Sequence, residues 1–137
     1  MLDLILCVDD DPITLMLCKM VITRSAFANH IVTAQNGEEA LHYFDDLRKN
    51  NLSTTISEYP KLLFLDLNMP VMGGWEFLDH FSQEEYRISF ANCKVIVLSS
   101  TIDPDDIMKA KTYPMVLDFL SKPISKEMLE ELKETLM

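Results

Sequence analysis

The stretch KLLFLDLNMPVMGG, residues 61–74, carries four apolar side chains in succession, Leu62 to Leu65, and then an acid, Asp66. Its first half reads as a strand, Lys61 to Leu65, that ends on Asp66. Gly73-Gly74 then turns the chain into a helix carrying Trp75, Leu78 and Phe81. A strand that ends in an acid and turns at once into a helix is one βα unit. The rest of the chain repeats it.

Upstream, Leu2 to Val8 is almost wholly apolar, as expected of a strand covered on both faces. Asp11-Pro12 opens a helix, Asp as N-cap and Pro at the first helical position. Its inward stripe is expected to be Ile13, Leu17, Met20 and Val21. His30 to Ala34 is a second short strand, and Asn36-Gly37 turns into a helix over Glu38 to Leu47, acidic in its first turn. The polar segment from Lys49 to Pro60 reads as an extended loop. Downstream, Lys94 to Leu98 is a fourth strand and Asp103-Pro104-Asp105-Asp106 repeats the helix opening. Val116 to Leu120 is a fifth strand, and Ser125 caps a last helix with Met128, Leu129, Leu132 and Leu136 on one face. Five strands alternating with five helices predict a doubly wound α/β sandwich around a parallel sheet.

The 137 residues make one domain, 1–137, and 48% hydrophobic content suffices for an ordinary core. A net charge of -10, from 22 acidic and 12 basic residues, disfavours nucleic acid. Cys7, Cys18 and Cys93 sit singly in apolar stretches, which suits reduced thiols in a cytoplasmic protein. The N-terminus has no basic region ahead of its apolar run, so it does not read as a signal peptide. No apolar run approaches the roughly 20 residues that span a bilayer.

In such sheets, functional groups gather beyond the carboxyl ends of the strands. There this sequence puts Asp9-Asp10-Asp11, Asp66, Ser99-Ser100-Thr101 and Ser121-Lys122. Singly, each has an ordinary explanation: Asp11 as a helix cap, Asp66 and the serines as turn formers, Lys122 as a surface charge. Together they do not. Carboxylates crowded at strand ends repel, and a hard divalent cation such as Mg²⁺ relieves them. With one ammonium and one hydroxyl nearby, the set suits chemistry on a phosphoryl group.

VDDDP after the first strand, FLDLNMPVMGG around the third, VLSS at the fourth and FLSKP at the fifth resemble the response-regulator receiver family in order and spacing. The resemblance covers essentially the whole chain. It implies a flavodoxin-like (βα)5 fold with sheet order 2-1-3-4-5, and a switch driven by phosphorylation. By the same resemblance, Asp66 is the phosphoacceptor, supplied by a sensor histidine kinase or a His-containing phosphotransfer protein. Mg²⁺ would be held by Asp10, Asp66, the backbone carbonyl of Asn68, and Asp9 through a water. Lys122 would pair with Asp66 and then with the phosphoryl oxygen, and Ser99 would donate to it. Phe119 fills the aromatic switch position, Pro123 is expected to follow a cis bond, and Asn68 and Thr101 flank the site and modulate phosphoryl lifetime. The chain is expected to act as a free-standing regulator, monomeric or weakly dimeric, whose output another protein carries.

Three departures stand out. Gly73 replaces an acid common in the loop, Phe119 lacks the hydroxyl of the usual Tyr, and Lys111-Thr112-Tyr113-Pro114 replaces a small-residue-rich helix end. The alternative is a pseudo-receiver, folded but never phosphorylated, which the complete set of site residues argues against. An aspartyl phosphatase needs a second acid where Asn68 stands. A flavodoxin-like cofactor carrier needs a Gly-rich phosphate loop, and this chain has 3 Gly. His30, His42 and His80 are scattered over different elements and make no metal site. Trp75 reads as packing, and the nine Met as core filler, with Met69, Met72 and Met115 as an adaptable partner surface.

Overall fold

The computed structural model describes residues 2–50 and 58–136. Their elements run β1 (Leu2–Val8), α1 (Pro12–Arg24), β2 (Ala28–Ala34), α2 (Gly37–Lys49), β3 (Leu62–Asp66), α3 (Gly74–Phe81), α4 (Glu84–Ser89), β4 (Lys94–Ser99), α5 (Pro104–Ala110), β5 (Val116–Ser121) and α6 (Lys126–Leu136). The strands form one sheet in the order β2-β1-β3-β4-β5, every pairing parallel. Most of the loop expected over Lys49 to Pro60 lies outside the described residues.

Side chains alternate across each strand, so every central strand feeds two cores. Leu6, Val8, Leu63, Leu65, Val95 and Val97 face α2, α3 and α4, against Phe44, Phe77, Phe81 and Phe90. Ile5, Cys7, Leu62, Phe64, Ile96 and Leu98 face α1 and α6, against Leu15, Cys18, Ile22, Leu129 and Leu132. Phe44 lies 4.7 Å from both Phe81 and Phe90, ring centre to ring centre. Truncating any of these rings to Ala is worth about 3–5 kcal/mol.

The expected caps form at Asp11, Asp103 and Ser125, and Asn36, expected only to turn the chain, caps α2 as well. The Asp11 carboxylate accepts from the Ile13 N–H, Asn36 from Glu39, Asp103 from Asp105, and the Ser125 hydroxyl from Met128. Two expectations fail. A sixth helix, α4, stands between β3 and β4, and its buried Tyr86 anchors it, the hydroxyl donating to Asp45 at 2.7 Å. The stripe on α1 is also displaced. Leu15, Cys18 and Ile22 are buried, while Ile13, Leu17 and Met20 are exposed and Val21 is half-buried. α1 is apolar around most of its circumference, so periodicity alone gives its inner face no direction.

Candidate functional site

The acids lie where the chain reverses its course across the sheet, between β1 and β3, beyond the strands' carboxyl ends. β1 delivers Asp9, whose N–H continues the ladder to the Ala34 carbonyl at 3.1 Å. β3 ends on Asp66, β4 on Ser99, and β5 runs through Ser121 to Lys122. Asp9, Asp66 and Ser99 are buried; Asp10 is exposed.

One carboxylate oxygen each from Asp9, Asp10 and Asp66 falls within a span of 4.8 Å. The Lys122 ammonium sits among them, donating to Asp9 Oδ2 at 2.6 Å and meeting Asp66 Oδ1 at 3.1 Å. The other Asp9 oxygen accepts from the Asp11 N–H at 3.0 Å. Asp11 is occupied elsewhere: both its oxygens cap α1, one on Ile13 N and one on the Thr14 hydroxyl. It belongs to the helix.

The electrostatics follow from this crowding. Burial raises the Asp66 carboxyl above the usual carboxylate range, and Asp9 and Asp10 raise it further, against the Lys122 hydrogen bond that lowers it. For Lys122, burial lowers the ammonium, but the bonds and charges of Asp9 and Asp66 outweigh it and the net shift is upward. One ammonium thus serves two of the three carboxylates. An all-carboxylate donor set, short of positive charge and half open to solvent through Asp10, fits a hard divalent cation such as Mg²⁺.

The remaining predicted residues surround this centre. Ser99 is 3% exposed, its hydroxyl accepts from the Thr101 N–H at 3.3 Å, and its carbonyl takes the Lys122 N–H at 2.8 Å. The Lys122–Pro123 bond is cis. Asn68 and Thr101 are exposed at the rim. Phe119, opposite Val97 in the sheet, is half-buried against the core that holds Leu63, Leu65 and Phe77. The thiols take no part: burial holds Cys18 up at about 11 and Cys93 at about 12.

Sequence reasoning missed two features. Trp75 stacks on Tyr113 at 6.0 Å under the Lys109 ammonium, and the Tyr113 hydroxyl donates to Asp79 at 2.6 Å, which ties α3 to the segment after α5. Gly37 touches the loop that follows Asp66. The Asn36-Gly37 pair signalled only a turn, because its partner lies 35 positions away at Met72.

The fold has close relatives among solved structures. A two-component response regulator from Cytophaga hutchinsonii superposes with a TM-score of 0.83 at 28% identity, over 98% of this chain and 96% of that one. The phosphorylated cyanobacterial phytochrome response regulator RcpA gives 0.71 at 26% identity, over 98% and 91%. Among curated proteins, an uncharacterized response regulatory protein of Staphylococcus epidermidis is 31% identical over 137 residues, all of this chain and 47% of that protein. The transcriptional regulatory protein HptR of Staphylococcus aureus is 34% identical over 102 residues, 74% of this chain and 33% of its own length. The chain therefore spans about half or less of the length of these two curated relatives. The model of the response regulator receiver domain matches residues 5–134. Motif order, sheet topology, the acid cluster with its lysine, and a family match over nearly the whole length agree: the chain belongs to the response regulator receiver domain family of two-component signalling.

Proposed function

We propose that Asp66 accepts a phosphoryl group from a phosphohistidine, on a sensor histidine kinase or a phosphotransfer protein, and that the acyl phosphate switches the chain's surface. The observation that carries this reading is the Lys122 ammonium held between Asp9 and Asp66, at 2.6 and 3.1 Å, inside the three-acid cluster. An Asp66 oxygen attacks phosphorus, the P–N bond breaks, and its electron pair stays on the imidazole. Lys122, already in contact with Asp66, pairs with a phosphoryl oxygen and neutralises part of the two charges that arrive. Asp10, Asp66 and the Asn68 carbonyl, with Asp9 through a water, would hold Mg²⁺, and the bound ion would supply charge neutralisation and orientation.

Ser99 is the hydroxyl that turns to the phosphoryl group, giving up the Thr101 N–H it now accepts. Phe119, on the next strand, takes the space that is freed, and α5, β5 and α6 form the surface a partner reads. Asn68 and Thr101, exposed on either side, set how easily water reaches the acyl phosphate. Three buried thiols, none paired, suit the cytoplasm.

The test is beryllofluoride, a phosphoryl mimic, titrated with and without Mg²⁺. Binding is expected only with the metal and to be lost in Asp66→Asn. Binding that survives the substitution overturns the reading.

A further inference from the structure

The loop after β3 holds a conformation its own residues disfavour. Val71 has a φ of 70°, in the left-handed region, where a β-branched side chain is costly. Around it the Met72 N–H donates to the Pro70 carbonyl at 2.9 Å, closing a γ-turn of the strained, positive-φ kind. The Val71 side chain is 74% exposed, so its burial does not offset the strain. The surroundings must fix the turn.

Two close approaches do. At the base, the Gly74 N–H donates to the Leu67 carbonyl at 2.9 Å, and a Cβ on Gly74 would stand 2.6 Å from the Asp66 carbonyl oxygen. At the tip, the N–H of Gly37, the first residue of α2, donates to the Met72 carbonyl at 2.9 Å. A Cβ on Gly37 would lie 2.9 Å from Met72 Cγ and 3.0 Å from both the Met72 oxygen and Phe77 Cβ. The φ of Gly37 is not positive, so its missing side chain serves this approach and not an unusual backbone.

We propose that Gly37 is a positioning residue for the acidic site: by clamping Met72 it holds the strained loop shut, and the loop in turn sets where Asp66 and the Asn68 carbonyl stand. This rests on the reading of Asp66 as a Mg²⁺-assisted phosphoacceptor. Supporting residues of this kind are worth roughly 10–100-fold in metal affinity. A bound metal at free concentration c stabilises the folded state by RT ln(1 + c/Kd), so with Mg²⁺ about tenfold above the wild-type Kd the gain in melting temperature reads the clamp directly.

The experiment compares that gain in the wild type, Gly37→Ala, Met72→Ala, the Gly37→Ala/Met72→Ala pair, and Ala40→Gly, a packing control on the same helix. Met72→Ala and Ala40→Gly are expected to keep the full gain, whatever they do to the metal-free midpoint. Gly37→Ala is expected to lose most of it. Should Gly37→Ala alone fail to fold, the double variant carries the test, because it removes the Cγ clash and leaves the carbonyl displaced. A double variant with the full Mg²⁺ gain overturns the proposal. A wild type with no gain overturns the metal reading itself, and the clamp with it.

Discussion

Lys122 holds Asp9 more tightly than Asp66: its ammonium lies 2.6 Å from the Asp9 carboxylate and 3.1 Å from that of Asp66. The pairing expected from the motif was with Asp66. In the resting chain the lysine bridges both acids and leaves Asp66 the weaker share.

Removing that bridge exposes what it holds together. Lys122→Ala is expected to destabilise the metal-free protein by roughly 1–3 kcal/mol, between the values for surface and buried pairs. The Lys122 side chain is 18% exposed, which argues for the upper half of that range. Mg²⁺ should recover most of the loss, since it answers the same repulsion. Urea denaturation with and without Mg²⁺ checks both parts, and a variant as stable as the wild type without metal contradicts the bridge.

Asp66 carries a pH signature of its own. Burial and its acidic neighbours raise its pKa, so the folded chain keeps this proton at pH values where the unfolded chain has lost it. Metal-free stability attributable to Asp66 therefore falls as pH rises from the ordinary carboxylate range through the raised value. Asp66→Asn abolishes this dependence. The metal-free variant should match or exceed the wild type at neutral pH, by on the order of 1 kcal/mol, and lose its advantage in acid. Denaturation midpoints measured across that range decide the matter.

The two faces of α1 carry different weights in folding. Leu17→Ser is expected to change folding stability by less than about 0.5 kcal/mol, whereas Leu15→Ala, in the core, costs about 2–5 kcal/mol. Leu17 is 44% exposed against 7% for Leu15. Under the proposed function, Leu17→Ser should leave phosphorylation of Asp66 by acetyl phosphate unchanged, since Leu17 lies on the exposed face of α1. Slower phosphorylation of this variant, at unchanged stability, contradicts that separation.

The tie between Tyr113 and Asp79 can be opened without disturbing the core. Tyr113→Phe keeps the stack and loses the bond to Asp79, and is expected to cost about 1 kcal/mol. It should speed amide exchange in α5, where Ala110 is the one buried residue of the helix. Burial and the Asp79 carboxylate raise the Tyr113 phenol to about 12. Its contribution is thus complete below the ordinary tyrosine value near 10 and is lost as pH rises through about 12. Tyrosinate absorbance in an alkaline titration, compared with the Phe variant, reads this directly.

The sheet was legible from apolar runs too uniform for a one-sided strand, and the helix starts from Asp11-Pro12, Asn36, Asp103-Pro104 and Ser125. The acids at the strand ends were legible for the same reason: a parallel sheet sends every strand's carboxyl end to one side. These are local signals, each contained in a few consecutive residues, and they determined the fold and the membership of the cluster. The helix α4 escaped because its one buried anchor, Tyr86, is an isolated aromatic in a polar stretch.

Contacts between distant positions were left to the tertiary structure. α1 is apolar on both sides, so only docking against Ile5 and Cys7 of β1 and Leu129 and Leu132 of α6 decided that Leu15, Cys18 and Ile22 face inward. Lys122 and Asp9 are 113 residues apart, and nothing in either neighbourhood tells the lysine which of two acids to favour. Gly37 read as a turn until Met72 arrived against it. Sequence fixes what each segment is able to become. Which groups meet, and at what distance, depends on how strands and helices cross, and that is a property of the packed whole.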